Sequence, residues 1–329
     1  MSRIYEALQK AEAERTLDQR ERESRTPDQP AGAETLAPTA VAEAEYELPA
    51  VTAAADRPFK YVASAPVAAV PVIPAPVVKD ALDLSQVVRR PWSPAWAQLP
   101  SLLQRGPAVE QFRSLRSRIF ELRDVSPLKS ILISSGLPQE GKSFISVNLA
   151  LSLARHKNSK VLLIDGDMRR YTTHQILGCE SQPGLADYLA GKASIVDIMQ
   201  RPEQSLPTEA TKQQPLLPNL TFIAGGNGGD KAADLSGSPR FGELIRLAAP
   251  HFDWIIVDSS PVLPVSDAVN LARSCDGVLL VARGGVTKFP VAQRAQSELK
   301  ASKILGFVLN AVQEAPQVGS YYGYDANNE

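Results

Sequence analysis

Gly136-Leu137-Pro138-Gln139-Glu140-Gly141-Lys142-Ser143 reads G-x-x-x-x-G-K-S, and its flanks decide what that spacing means. Before it stands the apolar run Ile131-Leu132-Ile133, the pattern of a buried strand. After it, from Phe144 to Leu151, apolar residues recur at helical spacing. Strand, glycine-framed loop and helix is the context in which this motif cradles phosphate. The glycines let backbone N–H groups curl around an anion, and the helix N-terminus adds favourable partial charge. Lys142 is placed to reach the outer phosphates and Ser143 to meet a Mg2+ ion. The expected ligand is a nucleoside triphosphate.

Working outward, the rest of the chain divides into unlike parts. Residues 2 to about 25 are polar and helix-prone, with Ile4, Tyr5, Leu8 and Ala11 near one face. They read either as a short docking helix or as a solvated helix without a partner, and no sustained heptad is present. From about 26 to 100 the composition turns to Ala, Pro and Val. The stretch Pro71-Val72-Ile73-Pro74-Ala75-Pro76 cannot continue a helix or sit in a central strand. This segment reads as a disordered, semi-extended linker, with Trp92 and Trp96 able to pack back as an arm. The folded domain is expected over 101–316, followed by a flexible tail at 317–329.

Inside that domain, apolar runs alternate with helical patterns. Strands are expected at Lys160–Asp165, Asn219–Ile223, Trp254–Asp258, Gly277–Ala282 and Ile304–Leu309. Helices are expected at Val109–Glu121, Phe241–Ala248 and Val291–Ala301, and Arg201–Leu217 reads as an exposed loop. Such alternation predicts an α/β fold, a doubly wound and mainly parallel sheet. The net charge of -1 gives no general attraction to nucleic acid. Cys179 and Cys275 match no zinc or disulfide spacing, which suggests a reducing, cytoplasmic setting. No run approaches the roughly 18 apolar residues of a membrane span, and no signal core is visible near residue 1.

Ligands of open α/β sheets bind outside the carboxyl ends of the strands. Asp165 and Asp167 follow one apolar strand there and Asp258 ends another. Acids so placed beside a phosphate loop can hold Mg2+ or orient an attacking hydroxyl; alone, each would be an ordinary solvated strand end.

Five motifs in order then resemble one family. They are Glu110/Arg113/Arg116 as E-x-x-R-x-x-R, the phosphate loop, Asp165-Gly166-Asp167-Met168-Arg169, Ile255-Ile256-Val257-Asp258, and a terminal cluster of Tyr321, Tyr322 and Tyr324. Together they resemble the cytoplasmic domain of bacterial tyrosine kinases acting in polysaccharide synthesis and export, a deviant relative of the partition ATPases within the P-loop class. The resemblance implies ATP with Mg2+ on residues 136–144: Gly136, Leu137, Pro138, Gln139, Glu140, Gly141, Lys142, Ser143 and Phe144. Asn310 would meet the adenine edge. It implies metal placement by Ser143, Asp165, Asp167 and Asp258, with Lys142, Asp165 and Asp167 catalytic. Asp165 is the first candidate for orienting the tyrosine hydroxyl, and its assignment and that of Asp167 are interchangeable from sequence. Glu110, Arg113 and Arg116 would close an intersubunit ring rather than pair within their helix. The three tail tyrosines would be phosphorylated in trans. A transmembrane chain-length or co-polymerase activator would hold the protein at the inner membrane from the cytoplasmic side.

Two positions depart from the family pattern: Gln139 stands where glycine is frequent, and Tyr171 where proline is. Two other readings stay open. One is a partition or positioning ATPase, although those carry a lysine where this loop has Leu137. The other is a nucleotide-sensing scaffold of a membrane polysaccharide machine.

Overall fold

A computed structural model describes residues 82–156, 159–203 and 219–312. The docking-helix reading of residues 1–25, most of the linker and the tail with Tyr321, Tyr322 and Tyr324 lie outside the described residues.

Eight strands form one sheet in the order β1-β4-β5-β3-β6-β2-β7-β8. They are β1 (Val88–Arg90), β2 (Ser130–Ser135), β3 (Val161–Asp165), β4 (Met199–Pro202), β5 (Leu220–Ile223), β6 (Trp254–Asp258), β7 (Gly277–Arg283) and β8 (Ile304–Asn310). All neighbours run parallel except β4 against β5. The central strands read as continuous apolar runs because both of their faces are covered. Alternation decides which face each side chain joins. Ile131, Ile133, Val161, Leu163 and Ile256 enter one core, while Leu132, Leu162, Ile164, Ile255 and Val257 enter the other.

The first core is covered by α1 (Pro107–Val125), α2 (Lys142–Ala154) and the short α3 (Thr173–Leu177). The second lies under α4 (Leu185–Leu189), α5 (Ala232–Ser236), α6 (Pro239–Ala248), α7 (Asp267–Ala272) and α8 (Phe289–Glu298). Helix α6 shows how local sequence sets an element. Ser238 accepts the Arg240 N–H as N-cap, Pro239 fits the first helical position, and Phe241, Leu244, Ile245 and Ala248 turn inward.

The expected linker boundary at residue 100 moves back. Residues 82–102 are an arm packed on the domain, with Leu82, Val87, Leu99 and Leu102 buried. Strand β1 adds to the edge beside β4. The Trp92 ring meets Phe222 edge-on at 6.2 Å. Ser93 N–H donates to Gly178 O at 2.8 Å and Ala95 N–H to Ile176 O at 2.9 Å, so the arm grips α3. Gly178 has φ +63°, and a Cβ there would stand 1.8 Å from Ser93 O; only glycine admits both the turn and the arm. Prolines that read as linker punctuation instead fit an edge arm, which needs few ladder hydrogen bonds. The exposed loop expected from Arg201 also begins later. Arg201 and Pro202 close β4, where Arg201 Nε donates to Thr221 Oγ1 at 2.9 Å.

Candidate active site

The phosphate loop leaves β2 at Ser135 and enters α2 at Lys142. Gly141 is the N-cap at φ +94°, without a side-chain cap. A Cβ at Gly141 would lie 1.9 Å from Asn310 Nδ2, so glycine is needed for both conformation and space. The first N–H groups of α2 therefore face outward with no capping side chain, the arrangement that receives an anion. Gln139, where the family favours glycine, has φ +63°; a non-glycine residue is strained there by roughly 1–2 kcal/mol.

Glu140 holds this loop from within. It is buried, and its Oε2 accepts the Leu137 N–H at 2.7 Å. Its other oxygen accepts from Thr287 Oγ1, which in turn accepts the Arg283 N–H at 2.8 Å. Asn310 Nδ2 donates to the Glu140 carbonyl at 3.0 Å. The side chain read as an adenine contact thus has its amide donor on the loop itself, and the ends of β7 and β8 brace the loop.

Beside α2 opens a cleft of about 430 Å³, lined by Pro138, Gln139, Gly141, Lys142, Ser143 and Phe144 on one side. Asp167, Arg169, Arg170, Thr172 and the turn Ser260–Pro261 line the other, with Pro264 and Val265. Lys142 Nζ stands 3.5 Å from Asp167 Oδ2. Asp167 Oδ1 accepts the Arg170 N–H at 3.0 Å. Arg169 makes two bonds to the buried Asp267, at 2.7 and 3.3 Å, and that carboxylate raises the guanidinium pKa further.

Asp165 and Asp258 face each other in the β3–β6 register, fully buried. Asp165 Oδ1 accepts the Asp167 N–H and Oδ2 the Thr173 N–H, both at 3.1 Å. Burial pushes its carboxyl well above the usual range, and the nearby Asp258 and Asp167 add to the push. Asp258 receives Ser146 Oγ at 3.0 Å and Thr173 Oγ1 at 3.2 Å. Burial raises its carboxyl too, opposed by Lys142 and a hydrogen bond from Ser143. The two acids that the sequence left interchangeable as the hydroxyl-orienting group differ in their access to the cleft. Asp165 is walled in and does not line the cleft, whereas Asp167 does.

Sequence reading singled out Lys142, Ser143, Asp165, Asp167 and Asp258, and the structure brings them together. It passed over Thr173, whose backbone and side chain bond one buried acid each. No spacing rule marks that residue, because its role comes from α3 folding back over two strand ends. Glu110, Arg113 and Arg116 lie apart, on α1. Arg113 pairs with Glu110 along the helix. Arg116 does not project with them; its Nη1 donates to Ser152 O at 2.9 Å and ties α1 to α2.

A family model described as an AAA domain matches residues 131–286. Tyrosine-protein kinase YwqD of Bacillus subtilis (strain 168) is 33% identical over 217 residues, 65% of this chain and 85% of that protein. The chain belongs to the bacterial tyrosine-kinase family. Another member, tyrosine-protein kinase Wzc of Salmonella typhimurium, is 31% identical over 220 residues, covering 66% of this chain and 28% of the relative. The chain spans only 27–30% of the length of several such relatives. Among solved structures, the kinase domain of the Escherichia coli tyrosine kinase ETK superposes with a TM-score of 0.57 at 28% identity, over 73% of this chain and 94% of that one. In this member of the family, four of the five family motifs lie among the described residues, and three of those four converge on the cleft.

Proposed function

We propose that this chain transfers the terminal phosphoryl group of ATP to tyrosines of a neighbouring copy, at Tyr321, Tyr322 and Tyr324. The observation that carries the reading is the pair of Lys142 and Asp167, 3.5 Å apart at the uncapped N-terminus of α2. A cation and a buried acid that both line the cleft are there held together, in a chain of the tyrosine-kinase family.

The donors present fit a nucleotide with Mg2+. Among the described residues no cluster of three or more carboxylate, imidazole or thiol groups could hold a metal unaided. Mg2+ suits such a site, since it takes one or two acids together with phosphate oxygens and water. Ser143 and Asp167 would hold it, with the buried Asp258 and Asp165 behind them as support. Bound there, the ion offsets charge on the phosphate oxygens. N–H groups of α2 orient the inner phosphates, and Lys142 neutralises charge that develops on the transferred group.

A phenol has a pKa of about 10, so the attacking hydroxyl gains from a base at its side. Asp167 is the acid placed to accept that proton. As the phenolic oxygen bonds to phosphorus, the bond to the bridging oxygen breaks and ADP leaves. The ring contact assigned by resemblance to Glu110, Arg113 and Arg116 rests on the first two. These would exchange their mutual pair for one across the interface, while Arg116 keeps α1 on α2. The resemblance also supports a role in polysaccharide synthesis or export, under a transmembrane activator that recruits the kinase to the inner membrane.

A mixing experiment tests transfer in trans. A Lys142→Met chain keeps its tail, and a chain with Tyr321, Tyr322 and Tyr324 all changed to Phe keeps its site. Neither should label alone with ATP and Mg2+, and the mixture should carry phosphotyrosine on the Lys142→Met chain. Labelling of wild type but not of the mixture would sink the trans reading. ATP hydrolysis without any phosphotyrosine would favour the positioning-ATPase reading.

A further inference from the structure

We propose that Ser260 is a further phosphate-binding residue of the cleft, its hydroxyl donating to an oxygen of the nucleotide's terminal phosphoryl group. This inference rests on the reading of the cleft as an ATP site and adds a side chain which that reading leaves unused.

Ser260 lies two residues beyond Asp258, where β6 ends, and is 1% exposed. The turn that carries it is held by three hydrogen bonds. Ser134 Oγ donates to the Ser260 carbonyl at 2.7 Å, Val262 N–H to Ser135 O at 2.9 Å, and Leu263 N–H to Gly136 O at 3.3 Å. The turn is thus strapped to the start of the phosphate loop, with Ser260 lining the same cleft as Lys142 and Asp167.

Every other buried serine of this corner has a use for its hydroxyl. Ser135 donates to Leu137 O, Ser259 to Ile133 O, and Ser146 sits between Lys142 O and Asp258. Ser260 Oγ is buried and has no hydrogen-bond partner among the described residues. Four other buried polar atoms share that condition, on Trp92, His174, Gln200 and Arg240, and none of these residues lines the cleft. Buried hydroxyls without partners are costly and rare, so one kept beside a ligand cleft calls for a partner from outside the chain.

The surroundings name its chemistry. A hydroxyl donor on a residue that lines the same cleft as Lys142 and the first residues of α2 suits an anionic oxygen. The N–H groups of the loop and of the first turn of α2 take the inner phosphates. Ser260 stands instead in the turn that follows β6, lining the cleft with Lys142 and Asp167, and its hydroxyl is therefore assigned to the terminal group.

Calorimetric titration with Mg–ADP and with the Mg complex of the β,γ-imido ATP analogue tests this on full-length wild type, Ser260→Ala and Ser260→Thr. Ser260→Ala should bind ADP within about twofold of wild type and the analogue about tenfold more weakly. Ser260→Thr, which keeps the hydroxyl, should restore most of the analogue affinity. Unliganded Ser260→Ala should melt at or above the wild-type temperature, because a buried hydroxyl lacking a partner has been removed. If Ser260→Ala binds both nucleotides as wild type does, or loses both equally, the inference is wrong and the ATP reading stands. Wild type that binds neither nucleotide overturns the ATP reading and this inference together.

Discussion

Asp258 concentrates the charge conflict of the site. It ends β6 against Asp165 with both carboxylates buried, and burial raises the pKa of each. A carboxyl raised by folding binds its proton more tightly in the folded chain. Its stabilising contribution is full below the unfolded value of 3.8 and is lost as pH rises through the folded value. Asn at position 258 does not titrate, and the hydroxyls of Ser146 and Thr173 can reverse to accept from a carboxamide. Asp258→Asn should therefore gain on wild type in melting temperature as pH is raised from about 4 to 8. A difference that stays flat or shrinks over that range would contradict the assignment. At this scale the sequence singled out these acids, since an Asp closing an apolar strand beside a phosphate loop is a sharp signal. It did not separate the buried Asp165 from the cleft-lining Asp167. Two residues apart, they differ only in what α3 folds over them, and Thr173 has no spacing that announces it. Arg116 escaped for the same reason, since helical phase placed it with Arg113 but its contact with Ser152 depends on how α2 packs.

Among the elements, the buried strands β2, β3, β6 and β7 were legible because each is a continuous apolar run of the right length. Strands β1 and β4 were not. They are short, carry Arg89, Arg90 and Arg201, and lie at one end of the sheet, where β1 is paired on one side only. The arm that contains β1 was read as linker from its prolines. Its worth lies in four buried apolar side chains and in contacts to α2. Asn148 Oδ1 accepts Ser101 Oγ at 2.9 Å, and Arg155 Nη1 donates to Ser101 O at 2.8 Å. Burial of each such apolar side chain contributes roughly 1.5–3 kcal/mol. Deletion of residues 1–81 should thus leave the melting temperature within about 2 °C of wild type. Deletion through Leu103 should lower it by more than about 10 °C or yield insoluble protein. Equal melting of the two truncations would show that the arm adds nothing to the domain.

For the molecule as a whole, the doubly wound sheet explains why distant stretches of chain meet at one cleft. Parallel strands β2, β3 and β6 end on the same edge, so the phosphate loop, Asp167 and the Asp258–Ser260 turn converge although separated by a hundred residues or so. The neighbouring ends of β7 and β8 brace the loop through Thr287 and Asn310. The order of motifs in the sequence carried this topology, and the family comparison agrees with it. In the function proposed for the molecule, the cleft at the N-terminus of α2 performs phosphoryl transfer to tyrosine, with Lys142 and Asp167 facing the reacting groups. The measurement that bears on it most directly is the initial rate of phosphotyrosine formation with ATP and Mg2+, in wild type, Lys142→Met and Asp167→Asn at equal concentration. The account predicts labelling in wild type and at least about a hundredfold lower rates in both variants, each still melting cooperatively. A folded Lys142→Met or Asp167→Asn protein that labels at the wild-type rate would contradict it.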